Sequence, residues 1–204
     1  MQRILKPAVF ILSLGPAIWL VRAMLAGGLG ANPAETVQLE TGIWAFRFLL
    51  ATLTITPIRR LTGVNRLIQY RRMLGLFAFF YGSLHVLSFL AFDHLFAIGG
   101  IWADVVKRPF ITAGVVAYAL MIPLAVTSTK GWIRRLGRRW QLLHRLVYVS
   151  ALAASLHFIW KVKVVFGEPV FYAGIVAALL LFRLLWESRP FGRIKRPSNA
   201  DARV

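Results

Sequence analysis

No cysteine occurs among the 204 residues. That absence excludes disulfides, iron–sulfur clusters, haem attached covalently through a Cys-x-x-Cys-His motif, and thiol catalysis. Acidic side chains are scarce as well, with seven Asp and Glu against 25 Lys and Arg. Polar surface is short: 58% of the residues are hydrophobic, more than a soluble domain of this size can cover. No Gly-x-Gly-x-x-Gly fingerprint is found, and no segment is long enough for a soluble nucleotide-binding domain. No internal repeat stands out, and no low-complexity tract beyond a polar, basic tail over 187–204.

What is present is a series of long apolar runs. Six of them approach the ~20 residues needed to cross a bilayer: Pro7–Leu25, Gly42–Ile58, Met73–Ala97, Phe110–Thr127, Leu142–Trp160 and Pro169–Trp186. The first follows Arg3 and Lys6 like a signal peptide, but no small-x-small cleavage site follows it, so it is expected to remain as a helix. Pro57 and Pro109 are expected at helix ends, where a missing N–H costs least. Gly27-Gly28-Leu29-Gly30 and Asn32-Pro33 mark a turn-rich first loop.

The excess of basic residues is not spread evenly, and this separates a membrane protein from a nucleic-acid binder. One set of segments holds Arg3 and Lys6; Arg59, Arg60, Arg66, Arg71 and Arg72; Lys130, Arg134, Arg135, Arg138 and Arg139; and Arg189, Arg193, Lys195, Arg196 and Arg203. The alternate segments hold only Arg22, Lys107, Arg108, Lys161 and Lys163, which is 5 against 17. The positive-inside rule then places both termini in the cytoplasm. The expected fold is all-α, a polytopic bundle of six transmembrane helices forming a single domain.

Four histidines are the only nitrogen ligands available to a metal. Buried ionisable residues in a membrane are costly and mark function by default. A lone histidine there is as often a hydrogen-bonding partner for a neighbouring helix. Three on two apolar helices favour ligation, because neutral imidazole is a common haem-iron ligand and a planar macrocycle takes ligands from opposite sides. At 1.5 Å per residue, His85 lies roughly 20 Å beyond Arg72, His157 roughly 27 Å beyond Arg139, and His144 about 8 Å beyond Arg139. Axial partners share a depth, so His85 pairs better with His157 than with His144. His144 and His157 lie roughly 140° apart on an ideal helix; either they face different haem edges or the helix is kinked. His94 lies about 180° around from His85, beside Asp93 near the outer end, and reads as an interfacial residue.

Haem propionates favour guanidinium partners. Arg71 and Arg72 are candidates for a haem facing the cytoplasm, with membrane anchoring as the plain alternative. Arg47, inside the second span, is a candidate for an outer one. Trp132, Trp140 and Trp160 fit the aromatic belt.

Taken in order, several short runs resemble one family. They are Gly27-Gly28-Leu29-Gly30, Phe48-Leu49-Leu50-Ala51-Thr52-Leu53 with Ile55-Thr56-Pro57, Arg71-Arg72-Met73-Leu74-Gly75-Leu76 and Leu84-His85. Thr127-Ser128-Thr129, Leu136-Gly137, Trp140-Gln141-Leu142-Leu143-His144, Val147-Tyr148, and His157 with Trp160 continue the pattern. From about residue 15 to residue 190 the chain is similar to the MsrQ (formerly YedZ) family, within the ferric-reductase-like transmembrane superfamily that includes NADPH oxidases. The resemblance implies an inner-membrane electron-transfer subunit carrying one or two b haems on His85, His144 and His157. It implies a donor in the quinone pool or a cytoplasmic flavin reductase, and an acceptor in a periplasmic molybdopterin methionine sulfoxide reductase that repairs oxidised protein. FMN is implied by the resemblance alone. The oxidase pattern carries two histidines on each of two helices, and here the third span lacks its second. Other functions compatible with the residues are a freestanding quinol or metal reductase, and a transporter with histidines on its pathway, for which broken helices or repeats are expected. No nucleophile–base pair is evident, so sulfoxide chemistry is not expected in this chain.

Overall fold

The computed structural model describes residues 2–162 and 167–187, with side chains from Leu5 to Trp186 within them. The basic positions Lys163, Arg189, Arg193, Lys195, Arg196 and Arg203 therefore lie outside the described residues, as does the side chain of Arg3. Among the described residues the chain is helical, with no strand. The elements are α1 (Gln2–Leu25), α2 (Pro33–Thr62), α3 (Ile68–Ser88), α4 (Ile98–Lys107), α5 (Pro109–Val126), α6 (Lys130–Leu136), α7 (Arg138–Leu143), α8 (Leu146–Val162) and α9 (Glu168–Glu187). Six stretches are long and apolar enough to cross a membrane: Leu5–Leu25, Pro33–Thr62, Asn65–Asp93, Pro109–Val126, Arg138–Val162 and Glu168–Trp186. This is the expected count, and the molecule is a multi-pass membrane protein.

The second span is longer at both ends than expected. Asn32 caps it through its side-chain oxygen, with Pro33 at its first position, where the missing N–H is an orphan anyway. It stops at Gly63, whose φ of 72° is left-handed and whose N–H returns to Arg59 O, a glycine C-cap. Pro57 is not at an end but inside α2 and buried. Its missing N–H leaves the Leu53 carbonyl, one turn back, without the usual helical partner, while Thr52 and Thr54 satisfy their own hydroxyls by donating to the carbonyls of Phe48 and Leu50. The third span ends before Ala97. α3 runs into a π turn over Phe89–Asp93, and Leu95 and Phe96 follow with positive φ. The loop beyond contains α4, which the sequence had read only as a connection.

Four helices form the core. α2 and α3 pack as one antiparallel hairpin and α5 and α8 as another, and α3 meets α5 while α8 meets α2. α1 lies outside against α2 and α3, and α9 outside against α8 and α2. The buried centre holds Phe46, Phe48, Leu53, Phe77, Tyr81 and Ala151, with Phe48 stacked on Tyr81 at 5.3 Å and 10°. Apolar side chains on the outer faces, such as Ile11, Leu12 and Leu184, stay exposed, as helices bathed in lipid require.

Candidate functional site

His85 projects from α3 and His157 from α8, so each comes from a different hairpin. Their ring centroids are 5.9 Å apart with an interplanar angle of 79°. The expected pairing of these two by depth is therefore the arrangement that the fold produces. His85 Nδ1 lies 2.8 Å from Gln38 O on α2, and His157 Nδ1 lies 2.6 Å from Phe110 O on α5. A carbonyl only accepts, so Nδ1 carries the proton and donates. The lone pair then sits on Nε2, the nitrogen free to ligate, and the hydrogen bond orients the ring and raises its basicity.

Two imidazoles on one metal atom, each about 2 Å from it, put their centroids about 6 Å apart, which the observed pair matches. Among the described residues no group of three or more His, Cys, Asp or Glu could hold a bare ion. Two facing imidazoles instead fit a metal whose equatorial positions a macrocycle already fills. The pair lies toward the end of the bundle at which α2 and α5 begin, since Gln38 and Phe110 sit in the opening turns of these helices.

Both halves of the pair are built alike. The bonded carbonyl precedes its histidine by 47 residues in each case. Four residues after each carbonyl stands a glycine, Gly42 or Gly114, and each is packed against the imidazole. Ser83-Leu84-His85 recurs as Ser155-Leu156-His157, and at the same offset of 72 residues Ala45 matches Ala117, Arg66 matches Arg138, Gln69 matches Gln141 and Leu74 matches Leu146. With the glycine these make eight identities at one offset, a faint repeat centred on the two histidines. Its identities are thinly spread through apolar helices, and the histidine-centred triplet is the signal that could have exposed it.

His144 is not part of this pair. It falls at the turn between α7 and α8, so the helix is broken there, one of the two alternatives that the 140° offset left open. Its Nδ1 is 3.1 Å from Trp140 O, its ring stacks on Trp140 at 3.8 Å and 28°, and its Nε2 is buried with no hydrogen-bond partner. It borders two cavities. One of about 550 Å³ is lined by Arg71, Trp140, Gln141, Tyr148 and Arg183; the other, of about 270 Å³, includes Arg71, Arg72, Thr52 and Gly75. A buried imidazole nitrogen with no partner, facing guanidinium groups, suits an anionic group that also accepts a nitrogen ligand. At the repeat offset the residue matching His144 is Arg72, so no second histidine faces it.

Arg71 and Arg72 do border the inner cavities. Arg47 is held within the protein: its Nε donates to Tyr172 OH at 3.0 Å and its guanidinium lies 4.9 Å from the Trp44 ring. His94 packs on Phe89 and places Nε2 3.3 Å from Asp104 Oδ2, while Asp104 also pairs with Arg108 at 3.2 Å. It is an outer-edge residue apart from the pair. Residues that the sequence did not suggest are the backbone anchors Gln38 and Phe110, the two glycines, and Tyr148 and Arg183 at the inner cavity. A backbone carbonyl leaves no side-chain signature to find.

The family of ferric reductase like transmembrane components matches residues 41–155, a span that includes His85 and His144 and stops two residues short of His157. A relative from Herminiimonas arsenicoxydans, the haem-binding subunit MsrQ of protein-methionine-sulfoxide reductase, is 52% identical over 186 residues, covering 90% of this chain and 85% of the relative. The subunit of the same name from Brucella ovis is 47% identical over 183 residues, covering 90% of this chain and 81% of its own.

Proposed function

Because the chain belongs to the MsrQ family of ferric-reductase-like transmembrane proteins, we propose that it is the b-haem electron-transfer subunit of a methionine sulfoxide reductase system. The observation that carries this is the facing pair of imidazoles 5.9 Å apart, each with Nδ1 committed to a carbonyl. Haem b bound there supplies a one-electron iron couple. His85 and His157 would hold the haem iron through Nε2, with the Gln38 and Phe110 carbonyls keeping both rings in the tautomer that ligates. The apolar helices around them exclude water and so help to set the potential.

Direction follows from position. Gln38 O anchors His85 while its side-chain amide donates to Asp93 Oδ2 at 3.1 Å on the exposed outer edge. The iron ligand is therefore one residue from the surface where an acceptor docks. At the other end, His144, Arg71 and Arg72 border the inner cavities and are the residues available to a second cofactor, either a second haem b with its propionates on the arginines or the FMN implied by family. Electrons enter there from the quinone pool or a cytoplasmic flavin reductase. They leave outside to a periplasmic molybdopterin methionine sulfoxide reductase for repair of oxidised proteins, with the whole chain acting as one domain of the bacterial inner membrane.

The repeat and the break at His144 are also features of transporters, so their supposed absence no longer counts against that class. What favours haem is the fixed geometry of His85 and His157, each with Nδ1 committed to a backbone carbonyl. The purified protein is expected to show a low-spin b-haem optical and EPR spectrum, lost on His85→Ala or His157→Ala. A folded, colourless protein from haem-replete cells overturns the proposal and leaves the transporter.

A further inference from the structure

Resting on that haem assignment, we infer that Gly42 and Gly114 are positioning residues for the two axial imidazoles, a device duplicated with the repeat. A Cβ built on Gly114 would stand 2.7 Å from His157 Nδ1, 3.0 Å from Cε1 and 3.3 Å from Cγ. One built on Gly42 would stand 3.0 Å from both Nδ1 and Cε1 of His85. The first separation is closer than side-chain carbons come to other atoms, so Ala at 114 requires the ring to move; the second is tighter than nearly all such contacts, so Ala at 42 requires a shift of a few tenths of an ångström.

Glycines between membrane helices commonly serve close backbone approach, but here the nearest atoms are those of the imidazoles; a Cβ on Gly100 would stand equally close to His94 Nδ1, at 3.0 Å, so the 2.7 Å at Gly114 is what sets the pair apart. Gly82 and Gly75 illustrate ordinary contacts, with nearest atoms of Tyr118 and Thr52 at 3.6 Å, and Gly15, Gly99 and Gly174 meet nothing within 4 Å. The spacing explains the function. Gln38 and Gly42, like Phe110 and Gly114, are four residues apart and so lie on one helix face. The carbonyl accepts the Nδ1 proton, and the bare position one turn on lets the ring lie close enough to donate it. A methyl at the glycine pushes the ring off the helix and lengthens that hydrogen bond, which changes both the ligand's aim and its donor strength.

Two further contacts tie the hairpins together, on different partners in each direction. Phe46 of the first unit packs on Phe158 of the second at 6.2 Å. Its equivalent, Tyr118, packs back on the first unit, with its hydroxyl 3.0 Å from Ser83 Oγ. The two hairpins therefore embrace reciprocally around the histidine pair, and the two glycines occupy corresponding places.

The test uses full-length protein in detergent, comparing wild type with Gly114→Ala, Gly42→Ala and the control Gly174→Ala, with helicity and monodispersity checked in each. Gly114→Ala is expected to convert low-spin haem wholly or largely to high-spin, raise its midpoint potential, and return to low-spin on adding free imidazole. Gly42→Ala, with the wider clearance, is expected to shift the EPR g values and potential in the same sense by less, and Gly174→Ala to match wild type. If Gly114→Ala fails to fold, the spectrum of Gly42→Ala decides. Wild-type spectra and potentials in the folded glycine variants overturn the inference while leaving haem on His85 and His157 intact. Absence of haem from wild type overturns the functional proposal instead.

Discussion

Pro16 stands inside α1, where proline disturbs the backbone bonding of its turn. Tyr81 reaches this point from α3 and is fully buried. Its hydroxyl donates to Ser13 O at 2.8 Å and accepts from Ala17 N at 3.0 Å, the two groups that an α-helical turn pairs with each other. One phenol thus serves a carbonyl and an N–H next to a proline, in a layer where water cannot. Tyr81→Phe removes both contacts at nearly constant volume. It is expected to cost about 1–3 kcal/mol, read as a lower unfolding midpoint in detergent, with the haem spectrum unchanged; an unaltered midpoint would show that the hydroxyl carries no net stability. At this scale sequence legibility was uneven. The depth of His85 and His157 could be counted from their basic edges, because a helix converts residue number into distance. The partners of Tyr81, Gln38 and Phe110 could not, because they are made with backbone groups of helices remote in sequence.

Among the helices, the six spans were legible because each is an apolar run of membrane length. α4 was not, and the reason is physical. With ten residues it reaches about 15 Å, too short to span, and Gly99, Gly100 and Asp104 interrupt its apolar pattern. In the structure it packs one face on α5 and leaves Ile98, Trp102 and Val106 exposed one turn apart, next to exposed Leu95 and Phe96. Such an apolar stripe beside Lys107 and Arg108, at the mouth of two spans, belongs in the headgroup–acyl boundary. The absence of cysteine makes this measurable. Spin-labelled Trp102→Cys in nanodiscs is expected to relax faster with lipid-soluble oxygen than with a water-soluble nickel chelate, and the reverse order would place α4 in water. The break between α7 and α8 was half legible: the angular mismatch of His144 and His157 was open to a kink or to different haem edges, and could not say where a kink would fall. Its position at His144–Arg145 lets His144 turn to the inner cavities while His157 faces His85.

For the molecule as a whole, the repeat ties topology to the site. The α2–α3 and α5–α8 hairpins run the same way through the bundle, so the operation relating them is a rotation about an axis along the membrane normal. Facing histidines on two such hairpins arrive at one depth by construction, which is why counting residues from the basic edge found the pair. The same rotation carries the charge pattern: Arg66 matches Arg138, and the turns following α2 and α5 are both basic. The positive-inside signal is therefore given twice, once per unit, and both hairpins are expected to present their turns to the cytoplasm. Single cysteines test this in a chain that has none of its own. Ala31→Cys, exposed ahead of α2, is expected to react with a membrane-impermeant maleimide added to spheroplasts. Val64→Cys, exposed in the turn between α2 and α3, is expected to react only after the membrane is opened. Labelling in the opposite order would invert the bundle, place the histidine pair near the cytoplasm, and remove the geometric basis for delivering electrons outside.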